Sequence, residues 1–65
     1  MFTVNQEIIV DEKKASVAMS LAVQTLRNMR HQRRGPVYLK IGRSVRYDLR
    51  DIEVYLQKRK IDPEA

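Results

Sequence analysis

The chain has 65 residues, with 13 Lys or Arg against 8 Asp or Glu and a formal net charge of +5. A chain this short makes one domain and buries only about 60% of the surface its unfolded form exposes, which argues against a large active-site cavity. It has no cysteine, so neither a disulfide nor thiolate-bound zinc staples the core. Its apolar runs fall far short of the roughly 20 residues that span a bilayer. Met1 to Val10 lacks the basic start and apolar stretch of a secretory signal, so the expectation is a soluble protein of the cytoplasm.

The acids lie towards the two ends of the chain. Between Lys13 and Tyr47 stand Lys13, Lys14, Arg27, Arg30, Arg33, Arg34, Lys40, Arg43 and Arg46, without an Asp or Glu among them. Such a field repels itself unless something anionic sits opposite, which points to a polyanionic partner.

Met1 to Val10 carries Phe2, Val4, Ile8, Ile9 and Val10 without helical spacing and reads as a loose arm or an edge strand. Asp11 offers a side-chain acceptor to the amides of a first helical turn, and Glu12 suits the positive end of the helix dipole. The predicted first helix is about two turns long, with Ala15, Ala18 and Met19 as its inward stripe. Its period breaks at Ser20 and Leu21. A second helix is predicted from Ala22 or Val23 to about His31, with Val23, Leu26, Met29 and the stem of Arg30 inward. Gln24, Arg27, Asn28 and His31 then share the opposite face, at i, i+3, i+4 and i+7. A solvated helix commonly mixes Glu with Lys. This face carries only amides, Arg and His, groups able to bond base edges: Arg to guanine, Asn or Gln to adenine.

Arg33, Arg34 and Gly35-Pro36 end that helix, since Gly tolerates a left-handed residue and Pro cannot donate to a continuing ladder. Val37, Leu39 and Ile41 alternate with Tyr38 and Lys40, and Val45 and Tyr47 alternate with Ser44 and Arg46, the period of half-buried strands. Gly42-Arg43 between them matches a type II′ hairpin turn. The tip exposes Arg43, with Lys40 and Arg46 on its flanks. Asp48 is placed to cap a third helix with Asp51 in its first turn and Ile52, Tyr55 and Leu56 inward, ending near Lys60. Lys58, Arg59 and Lys60 crowd its last turn, where cations offset the dipole, and the cluster is equally suited to touching phosphate. The whole is an α+β domain: two short helices, a two-stranded antiparallel hairpin and a C-terminal helix.

From Val10 to about Lys60 this order resembles the small winged helix-turn-helix domains of the excisionase and AlpA-like phage regulators, relatives of the MerR-type DNA-binding head. The resemblance is carried by Tyr38, Lys40, Ile41-Gly42-Arg43, Val45-Arg46-Tyr47, Asp51-Ile52 and Tyr55-Leu56, and by residue type at Ala15, Met19, Leu21, Thr25, Leu26 and Met29. The chain departs from the family at Ser20, where Gly is common, and at Ala22, where Ser or Thr often caps. The implied organisation is an arm or edge strand over 1–9, a DNA-binding domain over 10–61 and a tail over 62–65. The resemblance implies a recognition helix in the major groove and a basic wing on the minor groove or backbone. It implies an excisionase, or recombination directionality factor, that binds repeated sites cooperatively, bends DNA and biases an integrase towards excision. A transcriptional regulator on the same scaffold is the alternative.

Together these readings assign base contacts to Gln24, Arg27, Asn28 and His31, and backbone contacts to Thr25, Arg30, Arg33, Arg34, Lys40 and Arg46. Arg43 at the tip is assigned to a narrow minor groove. Expected partners are double-stranded DNA, an integrase and further copies of the chain on adjacent sites. No catalytic set, metal cluster, cofactor, small-molecule substrate or membrane partner is expected, and the location expected is the bacterial cytoplasm, on the nucleoid. An RNA or single-strand binding module is less favoured: its exposed aromatics among basic residues are missing from the second helix.

Overall fold

The computed structural model describes residues 8–63. Elements follow in the order β1 (Ile9–Asp11), α1 (Glu12–Met19), α2 (Val23–His31), β2 (Leu39–Ile41), β3 (Ser44–Asp48) and α3 (Leu49–Gln57). This is a small α+β architecture, three helices on an antiparallel sheet of three strands with β3 in the centre. Residues 1–7 of the expected arm and 64–65 of the expected tail lie outside the described residues. Within that arm, Ile9 belongs to β1. No helix among the described residues is long and apolar enough to cross a membrane.

β1 pairs with β3 by setting Ile9 opposite Asp48, Val10 opposite Tyr47 and Asp11 opposite Arg46. The sheet is thus one strand wider than the hairpin, and the reason lies in the Val10–Tyr47 pair. Both side chains are buried, on the face that the helices cover. The ladder runs on into α3, where the amide of Leu49 donates to the carbonyl of Ile8 at 2.8 Å. Around Val10 and Tyr47 the core gathers Ala15, Met19, Leu26 and Ile52, with Val45, Leu49 and Tyr55 packed against it.

Two of the three helices begin on an aspartate cap. The Asp11 carboxylate accepts from the Lys14 amide at 2.9 Å and caps α1, and Asp48 accepts from the Arg50 amide at 2.8 Å and caps α3. Arg50 also folds two side-chain nitrogens onto Asp48 at 3.0 and 2.7 Å, and those bonds hold the Asp48 carboxyl below its ordinary range. α2 begins at Ala22 with no side-chain cap. At their C-termini α1 and α2 close in the same way. A residue in the left-handed region, Ser20 at φ 57° and Arg33 at φ 59°, is followed by an amide reaching back five residues, Leu21 to Ser16 and Arg34 to Met29. A shorter bond runs from the left-handed residue itself, Ser20 to Val17 and Arg33 to Arg30. These are Schellman closures, normally built on Gly.

Four sequence expectations need correction. In α1 the inward stripe is Ala15, Ser16 and Met19; Ala18 faces solvent. The stripe follows i, i+1 and i+4 from Ala15, and Ser16 tolerates burial because its hydroxyl donates to the Lys13 carbonyl at 2.7 Å. Left-handed backbone after α2 falls on Arg33 as well as on Gly35. Leu56 is exposed, because α3 turns Leu49, Ile52 and Tyr55 to the core, and the helix ends at Gln57 with tighter i to i+3 bonds continuing to Lys60.

The fourth concerns the hairpin. Gly42 takes φ 60° while Arg43 stays outside the left-handed region, as a type II′ turn requires, and the register sets Ile41 opposite Ser44, Lys40 opposite Val45 and Leu39 opposite Arg46. Residues directly opposite share a face. Lys40 therefore lies on the face of Val45 and Tyr47, and the apolar set Leu39 and Ile41 lies on the other, uncovered face, exposed. The alternation is real and its phase is inverted.

Candidate nucleic-acid interface

The face of α2 opposite buried Leu26 presents Gln24, Arg27, Asn28 and His31, all exposed, with Thr25 beside them. The helix has this orientation because Leu26 is its one fully buried side chain, with Val23, Met29 and Arg30 half-buried around it. At one end of the face the amide of Gln24 donates to the Asn28 side-chain oxygen at 3.0 Å, an i, i+4 pair that holds both groups in register.

Arg27 is tied to an acid from a different helix. Its Nε and Nη2 donate to one carboxylate oxygen of Glu12 at 3.0 and 2.6 Å, and the other Glu12 oxygen lies 3.5 Å from Arg30. The hydrogen bond from Arg27, helped by the charges of both arginines, holds the Glu12 carboxyl below its ordinary value and raises the Arg27 guanidinium above its own. The cationic stretch between Lys13 and Tyr47 is thus offset by the residue just ahead of it. Sequence spacing gives no sign of this, since the pair is fifteen residues apart and Glu12 already has a local role at the dipole.

Arg30 is half-buried. Its guanidinium donates to the Tyr47 hydroxyl at 3.2 Å and stands 5.8 Å from the ring centre of Tyr38, which tilts against Tyr47 at 6.1 Å. Arg30 therefore ties α2 to the sheet as well as carrying charge. It also lines, with Lys13, Glu12, Arg43 and Arg46, a recess of about 470 Å³ between the start of α1 and the hairpin tip. That recess brings together three of the cations expected to meet DNA. Arg46 is half-buried and donates to its neighbour's carbonyl, that of Val45, at 2.8 Å; Arg43 and Lys40 are exposed.

Arg33 and Arg34 stand apart from that group. They line a second recess, of about 540 Å³, with Gly35, Tyr55 and Arg59. The Arg59 guanidinium sits 4.1 Å over the Tyr55 ring, a stacked cation. Arg59 belongs to the Lys58-Arg59-Lys60 run, which the sequence leaves open between offsetting the helix dipole and touching phosphate. Apart from Lys40, exposed on β2, the expected residues thus fall into three places: the open face of α2, the recess at the hairpin tip, and the recess where α2 and α3 end. In comparisons with known proteins the chain matches no family model and no curated protein.

Proposed function

We propose that the chain is a sequence-specific binder of double-stranded DNA on a winged helix-turn-helix scaffold, with α2 as recognition helix and the β2–β3 hairpin as wing. One observation carries the reading: the exposed side of α2 is a continuous set of Gln24, Arg27, Asn28 and His31 with no carboxylate of its own. Nine residues of helix extend about 13 Å, and a helix of ordinary diameter fits a major groove about 12 Å wide. In this reading Arg27 and Asn28 read bases, with Gln24 and His31 beside them. Thr25, Arg30, Arg33, Arg34, Lys40 and Arg46 hold phosphates, and Arg43 enters the minor groove. Among the described residues the outer face of the sheet carries Ile9, Leu39 and Ile41 and no aromatic, which disfavours base stacking on that face as the mode of binding.

The finer assignment is to an excisionase of phage or mobile-element type, acting in the bacterial cytoplasm with an integrase and further copies of itself on adjacent sites. Its support is the resemblance over residues 10–60, and the small footprint of one copy, which needs neighbours for useful specificity. Duplex titration followed by amide resonances tests the binding: residues 24 to 46 are expected to move at low ionic strength. No movement there ends the reading. Gel shifts at stated salt with attachment-site DNA against promoter DNA then separate an excision role from a promoter regulator.

A further inference from the structure

The recess at the joint end of α2 and α3 has features that neither helix has alone. Three guanidiniums, those of Arg33, Arg34 and Arg59, line it, and among the described residues its lining has no carboxylate; the carboxylate of Asp51 belongs to the adjoining recess that shares Gly35, Tyr55 and Arg59. Like charges so gathered raise one another's energy until an anion sits among them. Arg59 is pre-placed by its stack on Tyr55, so ordering it on a ligand costs little. The Met29 and Arg30 carbonyls near the end of α2, which would repel an anion, already accept from the amides of Arg34 and Arg33. Arg33 itself occupies a left-handed position that glycine would fill with less strain. A long cation held at an unfavourable backbone position is a pointer to use of the side chain.

We infer that this recess is a phosphate-binding cradle, separate from the groove-facing side of α2, in which Arg33, Arg34 and Arg59 clamp one phosphodiester group of the duplex. It rests on the DNA-binding reading above and adds the end of α3 to the surface that meets DNA. Guanidinium suits the role, because its planar fork gives paired hydrogen bonds to phosphate oxygens. The contact carries no sequence information and fixes the angle at which α2 enters the groove.

The test is duplex binding measured over a range of salt for the wild-type chain, Arg33→Gly, Arg59→Ala and Arg27→Ala. Arg33→Gly relieves the left-handed strain, so its thermal melt should be no lower than wild type and any loss of binding is not unfolding. Each cradle variant is expected to lose about fivefold in affinity near 0.1 M salt, equally on target and unrelated duplexes, with the slope of log K against log salt reduced by at most about 0.9, the value for one whole phosphate. Arg27→Ala should lose affinity chiefly on the target. If wild type and Arg27→Ala behave so while Arg33→Gly and Arg59→Ala keep wild-type affinity and slope, the cradle is overturned and the DNA reading stands. If wild type binds no duplex at low salt, both fall.

Discussion

β1 and β2 are both three residues long and both pair antiparallel with β3, yet they live in different surroundings. β1 buries Val10 against Tyr47 beneath the helices; every residue of β2 is exposed, Ile41 at 59%. One side of the sheet is therefore part of the core and the other is a projection held by backbone bonds and the Gly42 turn. Pairing and packing are therefore separable in this sheet. Stability resides at the β1 side, and the β2 side is available for contact with something else.

The sharpest way to break that contrast is to truncate one residue on each side. Tyr47→Ala removes a 1% exposed ring and is expected to cost about 3 to 5 kcal/mol. A single small core supplies about that much in total, so the variant should lack a cooperative melt by circular dichroism. Ile41→Ala should shift stability by less than about 0.5 kcal/mol. Comparable losses at the two sites would mean that β2 shares the core after all.

Smaller changes at the helix ends sharpen the picture. Ala22→Ser supplies the cap that α2 lacks and should stabilise by about 1 kcal/mol, read as a higher urea midpoint at unchanged slope. Ser20→Gly relieves the left-handed residue after α1 and should add about 0.5 kcal/mol, less than the full strain because glycine also loosens the unfolded chain. The smallest effect expected is at Glu12. Its carboxyl is lowered in the folded chain below the ordinary 4.5, so its contribution is fully present above that value and fades as the pH falls through the lowered one. Melting temperatures of wild type and Glu12→Gln should differ slightly at neutral pH and converge in acid. A gap that persists into strong acid would remove the ion pair from the account.

Much of the local structure was legible because it follows from single residues. Asp11 and Asp48 as caps, Gly42-Arg43 as turn, and the polar side of α2 are all set by chemistry within seven positions, and the structure has each of them. What failed was phase. Val37, Leu39 and Ile41 alternate correctly, but only the register with β3 decides which side is inward, and the helices cover the side of Tyr47. The same holds for Ala18 and Ser16 in α1, where one small residue replaces another and composition cannot set the rotation of the helix. The Glu12–Arg27 pair and the Arg33–Arg34–Arg59 grouping were out of reach for a different reason. Both join segments distant in the chain, and nothing in their spacing announces the meeting.

Glu12 divides its carboxylate between two arginines. Were an incoming anion to draw Arg27 away, the acid would keep Arg30 at 3.5 Å as its second cation. The displaced carboxylate is never stranded, so handing over one arginine calls for a change of neighbour and no rebuilding of the fold. Arg30, anchored on Tyr47, is the cation that would stay beside the carboxylate.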